Sequence, residues 1–455
     1  MEIIARVAAA VQSLMGGWAE QAARESDVIQ RQRKFSAVTL AQCFVFGFLA
    51  KPRASDEDLA QMAGACGVEV TPQAVEQRYT PRLVAFLEAL FRRAIQCVLS
   101  SDEALAPLLE RFGHVLVLDS TTISLPTELS QRFPGCGGSY GSGRAAVKLQ
   151  VEWDLCRGAF QAIAIEPGRD CDYKTSLQQT PLPPGSLRIA DLGYFDTEVF
   201  ERYSRDGVFW LSRLQFGTSV FLEEERVFPN NPRVLANDNA PPLLEWLADQ
   251  PESIIDQPIR LGAELKVPCR LLAWRVPTEV ANRRRQKLIA EARRKSGRTP
   301  STARLAWCDW MILVTNVPTE QLTPLEAAVL YRARWQIELL FKRWKSQGLV
   351  AELSGATVER QMVRLWSRLL AVLIQHWLVL TSVWGDPRHS LTKASEAIRR
   401  YATMLATTVS STTQFTGILV LLRRAVRVTS RQNKRKRPST FQLFNDPVLL
   451  EYSLT

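Results

Sequence analysis

Histidine is scarce in this chain of 455 residues: only His114, His376 and His389 occur, far apart. A His-rich zinc site is thereby excluded, and any catalytic metal has to be held by oxygen ligands, which suits magnesium or manganese. The 8 Cys residues contain no C-x-x-C pair, so no disulfide framework is expected. The opening MEIIARVAAAVQSLM has neither a convincing basic n-region nor a cleavage site, and reduced thiols in the cytoplasm are the expectation. The longest apolar run, Leu369 to Trp384, is broken by Gln375 and His376; it reads as a buried helix, and no membrane partner is expected. With 46% hydrophobic and 23% charged residues the chain is globular, long enough for two or more cores. Lys and Arg exceed Asp and Glu by 57 to 46, and the sequence pI is near 9.4. That balance favours a polyanionic partner, nucleic acid first.

One stretch declares both shape and chemistry: Thr323 to Lys345, TPLEAAVLYRARWQIELLFKRWK. Thr323 suits an N-cap, Pro324 the first helical position, and Glu326 completes a capping box. Gly348 supplies a stop. At about 100° per residue, Tyr331, Arg334, Glu338 and Lys345 share one stripe of the predicted helix, while Ala333, Ile337, Leu340 and Trp344 share another. One stripe suits a core and the other a site. A lone Glu among basic residues is otherwise an ordinary salt-bridged surface.

Upstream, HVLVLD (His114 to Asp119) is a continuous apolar run ending in Asp119, the pattern of a strand covered on both faces. Ala146 to Leu155 and Ala159 to Ile165, around Cys156-Arg157-Gly158, predict a hairpin. Leu187 to Ala190 is strand-like and ends in Asp191; a helix over Asp196 to Ser204 and a strand over Val208 to Leu214 follow. Strand, hairpin, strand, helix, strand is the ribonuclease-H-like order, in which the first and fourth strands lie side by side. The fold class read from this is α/β: a ribonuclease-H-like catalytic core with a β-rich insertion, flanked by N- and C-terminal helical regions.

The spacing Y-x(2)-R-x(3)-E-x(6)-K, together with the intervening residues of YRARWQIELLFKRWK, resembles the signature helix of the DDE transposases of bacterial insertion sequences, the IS-four group. DSTTI from Asp119 and DLGYFD from Asp191 resemble that family's first two acidic motifs, and the likeness is strongest over 115–214 and 306–348. It implies a DNA transposase, associated with the nucleoid. Asp119, Asp191 and Glu338 would be catalytic carboxylates holding two divalent ions, Mg2+ or Mn2+, and Tyr331, Arg334 and Lys345 would hold DNA phosphates. The substrates implied are double-stranded element ends with terminal inverted repeats and target DNA, worked on by a homodimer in a paired-end complex. In the resembled family a Trp just ahead of the signature helix stacks on a base flipped out of the transposon end; Trp310 is the first candidate, with Trp307 and Trp274 as rivals. Without that role a strand Trp is ordinary core.

The remaining chain divides by pattern. Residues 1–108 read as helical, and Ser55 to Leu87 as two short helices about a Gly67 turn, either a helix-turn-helix reader of DNA ends or a plain packing module. The core takes 109–214 and 323–350. Residues 215–322 form the insertion, with a turn-rich loop from Phe228 to Pro242 and strands over Ile259 to Val276 and Ala306 to Val317. Within it, Asn282 to Arg298 carries eight Lys and Arg against one Glu, and Arg283, Arg284, Arg285, Arg293, Arg294 and Lys295 are candidate phosphate contacts. Residues 351–455 read as helical, the first candidate for dimer contact, with a mobile basic tail from Arg423 to Arg437. Two other readings stay open: another ribonuclease-H-like nuclease acting on branched or hybrid nucleic acid, and an inactive DNA-binding protein derived from a transposase.

Overall fold

The computed structural model describes residues 2–30, 34–102, 104–136, 144–222, 225–228, 243–297, 299–386, 388–433 and 438–450. Residues 137–143, most of the loop from Phe228 to Pro242, and 434–437 of the basic tail lie outside them. The chain forms two compact units. The first comprises Met1–Leu105, Asp119–Asp170 and Gln336–Lys434; the second comprises Ala106–Leu118, Cys171–Trp335 and Arg435–Thr455.

The first unit is built around the helix Val358–Ser382, capped by Thr357 and buried at 20 of its 25 residues. It is long and apolar enough to cross a membrane by length and composition, and 94% of its most apolar window is buried inside the protein. A helix apolar on all sides has no face to offer water. Helices from both ends of the chain therefore cover it: Glu2–Met15, Ala37–Ala50 and Pro81–Ala94 from one, Leu391–Arg400 and Thr412–Thr429 from the other. The N- and C-terminal helical regions, expected to be separate, thus share one core. The stripe Leu365, Leu369, Leu373 and Trp377 lies within it. Arg423 to Thr429, expected as part of a mobile tail, are the last turns of a helix.

Over Ser55 to Leu87 the chain forms the capped helix Asp56–Ala65, a five-residue helix Pro72–Glu76 and the start of the helix Pro81–Ala94. Its first part is fastened to the central helix, where Arg360 pairs with Asp56 and with Glu76 at 3.4 Å and lies over the Tyr79 ring at 4.7 Å.

Ten strands occur among the described residues: β1 Val115–Leu125, β2 Ala145–Asp154, β3 Phe160–Pro167, β4 Leu187–Ala190, β5 Phe209–Arg213, β6 Val220–Leu222, β7 Glu225–Phe228, β8 Ile254–Leu261, β9 Val267–Arg275 and β10 Trp310–Thr315. In the first unit β2 and β3 form the expected antiparallel hairpin, turning at Gly158 with φ +73°. In the second the order is β1-β4-β5-β10-β9-β8-β6-β7. β1, β4 and β5 run parallel, and β10 joins β5 antiparallel with Leu313 opposite Arg213.

The strands expected as a separate insertion therefore continue the same sheet. Ile259 to Val276, read as one strand, is two strands joined through Gly262 (φ +89°) and Lys266 (φ +47°). Ala306 to Val317 is a strand only from Trp310, because a short helix, Thr302–Ala306, and a 3-10 turn precede it.

The central helix carries polar groups into its jacket, and Arg368, Gln375 and His376 among them meet backbone carbonyls of other segments. Gln375 donates to Ser395 O at 2.9 Å, and His376 Nε2 lies 2.7 Å from Gly158 O, with the imidazole stacked on Phe160 at 4.1 Å. Burial pushes the His376 pKa from 6.5 down to about 4, so the folded protein holds the ring neutral. Stability from this site is fully present above pH 6.5 and is lost as the pH falls from 6.5 to about 4, because only the unfolded chain takes up the proton in that window. The expected loss is about 3 kcal/mol relative to His376→Gln, read as the difference between urea midpoints of the two proteins at pH 7 and pH 4.5.

Candidate functional site

β1 and β4 set the positions of two of the predicted carboxylates. Their parallel register runs from Val115↔Leu187 to Leu118↔Ala190, and the next residue on each strand is an aspartate, Asp119 and Asp191. β1 is apolar from Val115 to Leu118, and β4 is buried from Leu187 to Ile189 although it carries Arg188, so the carboxylates arrive where these covered stretches end. Asp119 Oδ1 accepts the Ser120 N–H at 2.8 Å. Asp191 begins the 3-10 turn Leu192–Tyr194, where Tyr194 N donates back to Asp191 O at 3.0 Å.

The signature segment opens as expected. Thr323 and Glu326 form the capping box and Pro324 takes the first turn. The single helix expected is two: Pro324–Ala333 and Trp335–Ser346 abut at Arg334, whose N–H bonds to Tyr331 O at 3.2 Å, a three-residue step that tightens the turn. The four signature residues are divided at this joint. Tyr331 and Arg334 belong to the second unit with Asp191, while Glu338 and Lys345 belong to the first with Asp119.

In the second unit Arg334 Nη2 lies 3.9 Å from Asp191 Oδ1 and the guanidinium sits 6.0 Å over the Tyr331 ring. Burial, then the nearby Asp191 charge, pushes the Tyr331 phenol up to about 12. It remains a proton donor throughout the neutral range. In the first unit Glu338 is half-buried on a helix seated by Ile337, Leu340, Phe341 and Trp344. Lys345 Nζ donates to Thr122 O at 3.1 Å, three residues beyond Asp119, and burial lowers its pKa. Among the described residues no three His, Cys, Asp or Glu side chains gather closely enough to hold a metal ion. What the chain offers is a donor set of hard oxygens, the chemistry magnesium and manganese accept.

A cavity of about 430 Å3 lies beside Tyr331 and Arg334 in the second unit. Trp274, Met311, Leu313 and Ala328 give it apolar walls, and Arg284, Arg332, Arg334 and Trp335 complete them. Strand alternation decides which tryptophan faces it. Met311 pairs with Trp274 across β10 and β9 and both line the cavity. Trp310, Ile312 and Val314 point the other way into the hydrophobic core, where Trp310 is 7% exposed with Arg275 at 4.8 Å over its ring. The first candidate for a base platform is therefore a core residue. Its rival Trp307 packs on the same core, 5.4 Å edge-on to Phe216, which leaves Trp274 at the cavity.

Trp335, 48% exposed, was not singled out from sequence, although its place next to Arg334 was a usable signal. Asp172 was also passed over as part of a charged stretch; a Cβ added to Gly193 of the DLGY turn would stand 3.5 Å from its Oδ2.

The basic helix, Thr278–Ser296, divides by partner. Arg284 donates to Trp310 O at 3.0 Å, and burial lowers its pKa. Arg285 pairs with Asp309 and also donates to Leu305 O and Asn282 Oδ1. These two, expected on phosphates, hold the helix to the strand below it. Arg283, Arg293 and Arg294 are exposed, as is Lys287, while the Lys295 side chain lies outside the described residues.

The family model for the transposase DDE domain matches residues 110–374. The chain is 28% identical to the transposase for insertion sequence element IS231F of Bacillus thuringiensis subsp. israelensis, over 95% of this chain and 93% of that one. It is 27% identical to the transposase for insertion sequence element IS1151 of Clostridium perfringens, over 79% and 77% respectively. With the family model covering more than half its length, this chain belongs to the DDE transposases of insertion sequences.

Proposed function

We propose that this transposase works by cut-and-paste, hydrolysing the phosphodiester at each element end and then joining the freed 3′-hydroxyl to target DNA on a ribonuclease-H-like core. The supporting observation is the parallel β1–β4 register that ends at Leu118↔Ala190 with an aspartate next on each strand. Members of the family depend on divalent metal. In this reading Asp119, Asp191 and Glu338 are the carboxylates that would hold divalent ions, Mg2+ or Mn2+. Bound there, such ions supply an activated water or hydroxyl and neutralise the leaving oxygen.

The chain's other residues bind and orient. The Tyr331 phenol, kept protonated by burial, donates to a phosphate oxygen, and the Arg334 guanidinium brings charge to the same place. Lys345 holds a third phosphate contact next to the strand that carries Asp119. The cavity walled by Trp274 and Trp335 takes a base turned out of the element end, with guanidiniums at its rim for the attached phosphates. Such a base is what a hairpin intermediate on the element end would have to expose. A homodimer holding paired ends is part of the same proposal, with the C-terminal helices as its first candidate contact.

Three outcomes test these roles. Glu338→Ala and Asp119→Ala should lower Mg2+-dependent cleavage of end-labelled element DNA by more than about 100-fold, beyond the usual cost of an outer-shell change, with end binding in chelator retained. Equal losses of binding and cleavage would sink the metal assignment, and cutting of branched DNA irrespective of ends would favour another nuclease. Trp274→Ala should slow hairpin formation by about 10-fold or more, the worth of one stacked base, with first-strand nicking intact on a denaturing gel; Trp310→Ala should instead lower the melting temperature. Arg283→Ala and Arg294→Ala should each reduce the slope of log K against log salt by about 1, whereas Arg285→Ala should leave that slope unchanged and destabilise the fold.

A further inference from the structure

The helix that carries Glu338 is held at its far end in an unusual way. Past Ser346 the chain packs so tightly on the central helix that a Cβ at Gly348 would stand 2.4 Å from Val372 Cγ1 and 2.8 Å from Trp344 O. Leu349 then takes φ +51°, a left-handed conformation that a side chain resists. Arginines hold the turned segment there. Arg368 on the central helix donates Nη1 to Leu349 O at 2.8 Å and to Glu352 O at 2.6 Å, and Nε to Pro52 O at 2.8 Å. Arg399 donates to Gln347 O.

Arg368 is 2% exposed, and among the described residues it has no carboxylate partner; the Glu352 carboxylate pairs with Arg53 at 3.0 Å. A guanidinium taken out of water without a counter-ion is costly, and an apolar side chain of similar length would fill the space more cheaply. What an apolar side chain cannot do is gather carbonyls from two distant segments at fixed distances.

We propose that Arg368 is a positioning residue for Glu338. It fixes the end of the Trp335–Ser346 helix against the central helix and against the N-terminal layer at Pro52. This rests on the reading of Glu338 as a metal-holding carboxylate. Ser346, the last residue of the helix, lies eight residues after Glu338, about 12 Å at helical rise, and a rigid helix carries a tilt at one end to the other. Hard divalent ions accept oxygen ligands only over a narrow range of distance, so a small tilt at the carboxylate weakens metal binding before it affects anything else.

The test compares Arg368→Met, which keeps the volume and removes the donors, with Arg368→Lys, which keeps the charge. Three quantities are read: the Mg2+ concentration at half-maximal cleavage, the rise in melting temperature on adding Mg2+, and end-DNA binding in chelator. Arg368→Met should raise the half-maximal Mg2+ concentration by about 10- to 100-fold and diminish the Mg2+-induced rise in melting temperature, with end binding unchanged; Arg368→Lys should recover part of both. An unaltered Mg2+ response in Arg368→Met, or a loss of end binding that matches the loss of cleavage, would overturn the proposal.

Should Arg368→Met fail to fold, Gly348→Ala applies the displacement from the other side with Arg368 intact. The same shift in Mg2+ response is expected, and its absence overturns the proposal equally. Glu338→Ala, run in parallel, separates the two readings: if it keeps the wild-type Mg2+-induced stabilisation, the assignment of Glu338 has failed rather than that of Arg368.

Discussion

A helix with no solvent face must be covered on every side, and that requirement organises the first unit. Val358–Ser382 presents apolar side chains all round, so the chain must bring helices from its beginning and its end to enclose it. Three of the polar side chains the helix carries inward are satisfied by backbone carbonyls of other segments. Gln375 needs Ser395 O, His376 needs Gly158 O, and Arg368 needs Pro52, Leu349 and Glu352 O. Those bonds register four separate stretches of sequence against one helix: the N-terminal layer, the hairpin turn, the end of the Glu338 helix and the C-terminal helices. Apolar packing alone would tolerate small slips among them; the hydrogen bonds do not.

The second unit solves a different problem. A parallel β1–β4–β5 core has an open edge at β5, and exposed edges invite pairing with other chains. β10 closes that edge in antiparallel sense, β9 and β8 extend it, and the alternation of β10 separates two environments. One face of β10 carries Trp310, Ile312 and Val314 into the core; the other carries Met311 and Leu313 to the cavity beside Tyr331 and Arg334. A change of one residue in register would exchange these faces. The same pairing that protects the sheet edge thus determines which tryptophan stands at the cavity.

Much of this was legible from sequence wherever a local signal is physically strong. The capping box at Thr323, the apolar run of β1 and the short strand-like run of β4 with their terminal aspartates, and the β2–β3 hairpin are local patterns, and the chain follows them. The failures share a cause. Trp310 against Trp274 is a question of which face of a strand is buried, and neighbours distant in sequence decide it. The break at Arg334 is invisible to a periodic stripe, which treats the segment as one cylinder. Over Ser55 to Leu87 the helix begun at Pro72 stops after Glu76, and Pro81, which cannot continue a helix, starts another. Whether the strands of residues 215–322 pair with β5 or with each other is set by tertiary contacts alone.

Net charge illustrates how far composition can mislead about a footprint on DNA. The excess of 57 basic over 46 acidic residues points to a polyanion, but several guanidiniums belong to the fold. Arg270 is engaged by Asp256 and by the Val317 and Leu322 carbonyls, Arg284 by Trp310 O, Arg285 by Asp309, and Arg360 by Asp56. Moving such a group to a phosphate would leave buried acceptors unmatched, which costs more than an exposed phosphate contact returns. The electrostatic footprint is therefore the subset of cations whose release breaks nothing. On the helix Thr278–Ser296 the exposed cations among the described side chains are Arg283, Lys287, Arg293 and Arg294, of which Arg283, Lys287 and Arg294, at i, i+4 and i+11, share one face at about 100° per residue. A helix face with charges at that pitch can follow a phosphate backbone, while the arginines beneath it keep the helix in place.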